Sequence, residues 1–594
     1  MKNIDPAVSQ WLADGDRALR SGRFGEAINA YEKALARRPD LPQAHHNLAV
    51  ALRQAGQLEA AVTSYRRALA LQPAAPEIHN NLGNALRDLG LLDAAVAAYR
   101  QALALRPANA EIQNNLGAVL QMQGQLDAAI AAFRQSMILD PQRAETLTNL
   151  IYTSRMACAW RDLDRLEEKC RAMVRAGKPI PPHHFLSLPS TPAEQQVCAR
   201  QWTVARTQGV RRLPPPAPRG DGRIRLGYIS AKFHQHPSSV LAVELFERHD
   251  RERFAVSAYS IGPDDGSALR KRVERAFDAF VDISTLPHGA AARRIREDAI
   301  DVLIDLTGYD NNERVPILAA RPAPVQVSFL GYPSTMGASF IDYIVADPIA
   351  LPFDEQAWYS EKIVHLPDCY QPNDSKRAIA DATPARALCG LPEQGFVFCC
   401  FNNTSKITPA MFDVWMRLLG AVEGSVLWLL EAHTGVRANL VREAAARGIA
   451  AERLVFAPRL PPDAHLARHR CADLFLDTLP YNAHTTASDA LWAGLPVLTC
   501  KGSTFAGRVA ASLLHAVGLP ELVTHALGEY EALAVRLARE PGRLGALRER
   551  LKSSRTTAPL FDSARFARHL EAAFTRMWER HRAGQPPQGF SVAA

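Results

Sequence analysis

The chain has 594 residues, with 69 Lys+Arg against 61 Asp+Glu, 47% hydrophobic residues, 40 Pro and 9 Cys. That length calls for about three to five domains, and the ordinary apolar fraction excludes a chain disordered throughout. No apolar run approaches the roughly 20 residues that cross a bilayer, and the first residues, Met1 to Pro6, lack an apolar signal core. The nine cysteines form no Cys-x-x-Cys pair and read as core thiols of a soluble cytoplasmic protein. Of the net charge of +8, +6 falls within residues 151–222, which lack interleaved aromatics, so neither a nucleic-acid nor a membrane partner is expected.

From residue 9 to about 155 the chain repeats. Pro39, Pro73, Pro107 and Pro141 recur every 34 residues. Gly22, Gly56, Gly90 and Gly124 keep the same period, as do Tyr31, Tyr65, Tyr99 and Phe133, and Leu48, Leu82, Leu116 and Leu150. Each unit reads as two helices, the first released into a tight turn by the Gly and the second stopped by the Pro. One unit cannot bury its own apolar face, so neighbours must stack into a superhelix. In the same register, Asn47, Asn81, Asn115 and Asn149 each precede the periodic Leu. Asn is a mediocre helix former, and a column of amides complements an extended peptide backbone. These four are the expected acceptor-peptide contacts, and Ala13 in the first unit limits the ladder to four rungs.

Residues 156–222 read as a helical, Pro-rich linker, with Pro-rich runs at 179–182 and 213–218 that break regular structure. Beyond it, short β-rich runs alternate with helical stretches in two series, residues 223–388 and 389–594. Alternation of this kind predicts parallel, doubly wound sheets, with ligands in a cleft at the carboxyl ends of the strands. Gly-x-Gly-x-x-Gly, Walker and Gly-x-Ser-x-Gly patterns are lacking, which argues against dehydrogenase, ATPase and serine-hydrolase chemistry. The carboxylate pairs Asp14/Asp16 and Asp162/Asp164 read as surface charge, so no metal site is expected.

The densest polar run spans Asp477 to Asp489 and opens a helix after the strand 474–476. Thr485 and Thr486 then sit at a helix N-terminus, where unpaired N–H groups and the dipole favour an anion such as a phosphate. Asp489, one turn further, can accept ribose hydroxyls. Lys406, in the loop after the strand 396–400, is placed to neutralise phosphate.

The runs FNNTSKITP (401–409), VLWLL (426–430), LDTLPYNAHTTASDALWAGLPVLT (476–499) and GRVAASLL (507–514) resemble the protein O-GlcNAc transferases, glycosyltransferase family 41. LGYISAKFHQHPSS (226–239) and RPAPVQVSFLGYPSTMGA (321–338) resemble the same family, which also carries N-terminal tetratricopeptide repeats. The resemblance implies a tetratricopeptide superhelix (residues 1–155), then, beyond the linker, a GT-B fold of two Rossmann-like lobes (223–388 and 389–594). It implies metal-independent transfer of GlcNAc from UDP-GlcNAc, with inversion, to Ser or Thr hydroxyls of proteins. No further cofactor is implied. By motif, Lys406, His484, Thr485, Thr486 and Asn403 would hold the diphosphate. Asp489 would hold the ribose and His465 and Arg468 the uridine, with Leu330 and Gly331 beside the N-acetyl group. His236 and His183 match active-site histidines, either of which could take the acceptor's proton; the diphosphate itself is the third candidate base. The family's acid in "SSDF" is Lys232 here. A relative using GDP-fucose or UDP-glucose, and a non-catalytic repeat scaffold, are the alternatives.

Overall fold

A computed structural model of the chain describes residues 5–215, 222–310, 312–431, 433 and 435–594. It divides into two compact units, Met1–Ala157 with His433–Gly435, and Cys158–Ala432 with Val436–Ala594. The first unit contains helix pairs: α1 (Pro6–Arg20) with α2 (Phe24–Arg37), α3 (Pro42–Gln54) with α4 (Leu58–Leu71), α5 (Pro76–Asp88) with α6 (Leu92–Leu105), and α7 (Ala110–Met122) with α8 (Leu126–Leu139), closed by α9 (Ala144–Met156). The periodic glycines adopt positive φ, +69° at Gly22 and +78° at Gly56, the left-handed cap that a side chain disfavours. The N–H three residues beyond the first helix then reaches back into it, as in Gln57 N–H to Leu52 O at 2.9 Å. Tyr31, Tyr65, Tyr99 and Phe133 are at most 1% exposed and belong to the core of the repeat array.

In the second unit, the segment expected as a linker holds α10 (Leu163–Arg175), α11 (Pro182–Leu186) and α12 (Pro192–Thr207). It is no mere tether: Leu186 and Ala199 lie in the same buried cluster as Ile229, Leu303 and Ile341 of the sheet that follows. A capping box starts α12, with Glu194 N–H donating to Thr191 Oγ1 and Thr191 N–H to Glu194 Oε2. Half of the second Pro-rich run, from 216 on, lies outside the described residues.

The strands are β1 (Ile224–Ser230), β2 (Phe254–Ser260), β3 (Ala279–Asp282), β4 (Val302–Asp305), β5 (Val325–Ser328), β6 (Tyr343–Ala346), β7 (Lys362–His365), β8 (Val397–Cys400), β9 (Val426–Leu430), β10 (Leu454–Ala457), β11 (Leu474–Leu476), β12 (Val497–Cys500), β13 (Val523–Thr524) and β14 (Phe590–Ser591). They form two sheets, ordered β14-β7-β6-β5-β4-β1-β2-β3 and β10-β9-β8-β11-β12-β13. All pairings among the described residues are parallel, as in Tyr228 opposite Ala258 and Ile304. Parallel strands covered on both faces must be apolar throughout, and β4, β5, β6, β8 and β12 are buried along their whole length.

One boundary differs from the expectation. Residues 389–594 do not all serve the second sheet, because β14 pairs with β7 of the first, Phe590 opposite Val364. The long helix Ser563–Arg582 packs on the helix Pro237–Arg248 beside β1. A buried chain fastens it there: Tyr228 Oη and His249 Nε2 are 2.8 Å apart, and His249 Nδ1 is 2.9 Å from Glu571 Oε1. An amphipathic helix carries no mark of which sheet it covers, so the sequence could not assign it.

Candidate functional site

Each sheet has one point where strand order reverses, between β1 and β4 in the first and between β8 and β11 in the second. Loops leaving adjacent strands there go to opposite faces and leave a crevice at the carboxyl ends. Four loops therefore matter, those after β8 and β11 and those after β1 and β4. Between them they hold Lys406, His484, Thr485, Thr486 and His236 of the expected site.

After β11, Asp477 is buried and organises its loop. Its Oδ1 accepts from Thr478 N–H (2.7 Å) and Ala483 N–H (2.6 Å), and its Oδ2 from Thr499 Oγ1 (2.6 Å). After β8, Asn402 donates to Thr478 Oγ1 at 3.0 Å and accepts from the Thr486 hydroxyl, tying the two loops together. Lys406 lies in a short 3₁₀ turn; its Nζ donates to Asn482 O at 2.8 Å and stands 4.2 Å above the Tyr481 ring. Burial pushes the Lys406 ammonium below the ordinary lysine range, with Asp477 opposing that shift. Burial likewise raises Asp477, with its hydrogen bonds holding it down.

Tyr481 stacks on His484, ring centroids 4.8 Å apart, and His484 caps the helix Thr485–Trp492. The first bond inside that helix is Ser488 N–H to His484 O, so the N–H groups of Thr485, Thr486 and Ala487 take no part in it. They open beside the Lys406 ammonium, and this pairing of a helix N-terminus with a cation is what a diphosphate requires. His484 Nε2 lies 3.2 Å from Ala506 O, which assigns the proton to Nε2 and leaves Nδ1 as an acceptor. Asn403 is exposed, and its Oδ1 is engaged by Ser405 N–H at 3.0 Å, so only its amide N–H groups are offered outward.

In the first lobe, His236 is the N-cap of the helix Pro237–Arg248, accepting Ser238 N–H at Nδ1 (3.2 Å). His183 comes from α11, with its Nε2 3.7 Å from Asp310 Oδ1 in the loop after β4. Burial pushes His236 down to about 4 and lowers His183 as well, so both imidazoles are neutral at pH 7. After β5, Leu330 adopts φ +64°, a costly conformation for a branched side chain. Gly331 follows, where a Cβ would come within 1.9 Å of Leu306 O.

Three expected roles look different in the structure. Arg468 is 1% exposed, donates to Pro458 O at 2.5 Å and to His465 Nδ1, and lies 4.6 Å over Phe401, so it braces His465 from beneath. Asp489 is already ion-paired, through Oδ1, with Arg377 from the segment joining the two lobes. Sequence reasoning missed both Arg377 and Asp310, since neither sits in a quoted motif. In the repeat unit, the asparagine column links neighbours: Asn47 donates to Asp16, Asn81 meets His46 Nε2, Asn115 donates to Asn80 and Asn149 to Asn114, at 3.0, 2.9, 3.0 and 3.3 Å. Each amide thus spends one N–H on the preceding repeat, and the Asn47 oxygen also accepts from Gln43.

No group of three or more His, Cys, Asp or Glu side chains fit to hold a metal occurs among the described residues. Among those residues, no helix is long and apolar enough to cross a membrane.

Comparison with known proteins agrees with this geometry. The sequence profile described as Glycosyl transferase family 41 matches residues 193–383 and 380–570, and a TPR repeat profile matches 15–54, 50–90 and 83–124. A probable UDP-N-acetylglucosamine--peptide N-acetylglucosaminyltransferase, SEC of Arabidopsis thaliana, is 36% identical over 469 residues, covering 75% of this chain and 48% of its own. The UDP-N-acetylglucosamine--peptide N-acetylglucosaminyltransferase of Caenorhabditis elegans is 28% identical over 560 residues, covering 73% and 49%. The chain thus spans about half the length of these relatives. A mutant of the Thermobaculum terrenum O-GlcNAc transferase superposes with a TM-score of 0.71 at 30% identity, covering 91% of this chain and 98% of that one. With two parallel α/β lobes behind a repeat array and a profile match from residue 193 to 570, the chain belongs to glycosyl transferase family 41.

Proposed function

We propose that this protein transfers GlcNAc from UDP-GlcNAc to Ser or Thr hydroxyls of protein acceptors, with inversion and without a metal. The observation that carries the reading is the meeting of the Lys406 ammonium with the free N–H groups of Thr485 to Ala487 beside Asn482 and Tyr481. As the bond from sugar to diphosphate breaks, negative charge grows on the leaving phosphate, and fixed donors gain most at that moment. On turning away from Ala506 O, His484 lends its Nε2–H to the same group. Asp489, with one oxygen on Arg377, keeps the other for a ribose hydroxyl. His465, braced by Arg468, borders the base, and Leu330 and Gly331 border the N-acetyl group. The acceptor proton passes to His236, to His183 or to the diphosphate. The names printed for the Arabidopsis and Caenorhabditis relatives support this donor and acceptor class. Nine free thiols, eight of them buried, suit the reducing cytoplasm proposed as its compartment.

The test measures binding and turnover of UDP-GlcNAc, UDP-glucose and GDP-fucose side by side with EDTA present. Preference for UDP-GlcNAc and transfer unaffected by the chelator are expected. Tight binding of GDP-fucose alone, or loss of transfer on chelation, overturns the reading. The acceptor side has its own test, because the outward amide groups left over by the asparagine column can still meet a peptide backbone. Replacing Asn81 and Asn115 by Ala should raise the KM for protein acceptors while sparing hydrolysis of the sugar nucleotide. An unchanged acceptor KM removes the ladder from substrate binding and leaves its links between repeats as its whole role.

A further inference from the structure

Lys232 stands in the loop after β1, at the point where the strand order of the first sheet reverses. The structure supplies a carboxylate from a different strand. Asp310, in the loop after β4, sits between Lys232 and His183: its Oδ2 is 3.3 Å from Lys232 Nζ and its Oδ1 3.7 Å from His183 Nε2. All three are partly shielded from water, with side-chain exposures of 19% for Asp310, 11% for Lys232 and 31% for His183.

The two loops that bring them together are bound to each other. Buried Asp305 at the end of β4 accepts Thr307 N–H (2.9 Å) and Gly308 N–H (3.1 Å), and Thr307 Oγ1 accepts Ala231 N–H (2.9 Å), next to Lys232. Lys232 N–H donates to Ser230 Oγ at 3.0 Å. The position of the carboxylate is therefore set by the backbone of both switch-point loops. Charged and titratable groups facing His183 are Asp310, Lys232, Lys406 and His184, and those facing His236 are Lys232, Asp310 and His234.

We propose that Asp310 is a positioning residue for the transfer reaction: held by Lys232, it orients the His183 ring. The inference rests on the transferase reading above. His236 is the poorer base in this geometry, since its Nδ1 lone pair is spent on Ser238 N–H and Nε2 must then carry the proton. With Nε2–H turned to Asp310, His183 keeps the Nδ1 lone pair, which has no hydrogen-bond partner and no exposed surface here, so the ring must turn slightly to open it to an acceptor hydroxyl. A gap of 3.7 Å is longer than a hydrogen bond, and such contacts commonly tighten only when substrate is bound. In the transfer step the hydroxyl proton moves to His183 Nδ1 while its oxygen bonds to the anomeric carbon, and the bonding pair to the diphosphate leaves with UDP.

The experiment compares Asp310→Asn, Lys232→Met and His183→Ala in the full chain, with the His183 ring followed by NMR titration in the unliganded protein. Asp310→Asn should lower the His183 titration and Lys232→Met should raise it, opposite shifts that a merely structural pair would not produce. Asp310→Asn should cut kcat roughly 100-fold, the low end of a positioned base's contribution, with UDP-GlcNAc affinity kept within about twofold. In the His183→Ala background the same change should add little. A His183 titration unmoved by either variant overturns the proposal, as does a full multiplicative loss in the His183→Ala background. Failure of the wild-type protein to turn over any sugar nucleotide would instead overturn the transferase reading, and the titration would still decide whether the three groups are coupled.

Discussion

Replacing Lys406 by Ala should lower turnover by roughly 100-fold or more, the cost of removing one fixed electrostatic stabiliser from a water-poor site. The ammonium is held by Asn482 O at 2.8 Å and by the Tyr481 ring at 4.2 Å, so it cannot drift to solvent before the leaving group forms. An arginine is a poor substitute, because a planar fork does not fit between a carbonyl and a ring face as a compact ammonium does. Lys406→Arg should therefore also be impaired. Because burial lowers the lysine's proton affinity, its charge is lost as pH rises at lower pH than for a solvent-exposed lysine. The alkaline limb of kcat/KM should accordingly lie below the usual lysine value and vanish in Lys406→Ala. Turnover of the Ala variant within a few-fold of wild type would remove Lys406 from the mechanism.

Lys406 drew notice in the sequence through its place in the loop after a strand and the run FNNTSKITP around it. The alternation of the second lobe was legible as a whole: the helical stretches expected between its strands appear at Pro409–Ala421, Val436–Ala445, Pro462–Arg468 and Thr485–Trp492. Short buried strands punctuated by helices leave little freedom in such a reading. The repeat array was clearer still, since a 34-residue period repeats each marker four times. What escaped were pairings across long stretches of chain. Arg377 meets Asp489 over 112 residues and Glu571 meets His249 over 322, and no local pattern encodes either. The linker's packing had a local sign, the Thr191-x-x-Glu194 capping box, and it went unread beside the prolines. Asp310 followed from neither motif nor period, because it meets Lys232 and His183 across long stretches of chain.

The second large effect concerns acid. Stability of the second unit should fall steeply between pH 6.5 and 5.5, because burial leaves a set of imidazoles neutral in the folded protein. It holds His184 at about 3, His236 at about 4, His465 at about 2 and His469 at about 4, and puts His484 well below its ordinary value. In the unfolded chain the same groups titrate near 6.5. Their contribution is therefore complete above that value, and it is lost as pH falls, because the unfolded state binds protons that the folded state refuses. Each such group gives up about 1 kcal/mol over that single pH unit. Two buried carboxylates work the other way. Burial raises Asp305 and Asp477 to about 6, so they take up protons in the folded state first and return roughly half as much each. The histidines outnumber them, and a net loss of about 4 kcal/mol remains, a large share of the 5–15 kcal/mol that holds a typical domain folded. Urea midpoints followed by tryptophan fluorescence at the two pH values measure it directly. Trp415 and Trp428, at most 1% exposed, report on the second sheet. A midpoint that stays level or rises on acidification would mean that these imidazoles are already charged in the folded protein, and the neutral site drawn around His183, His236 and His484 would fall with them.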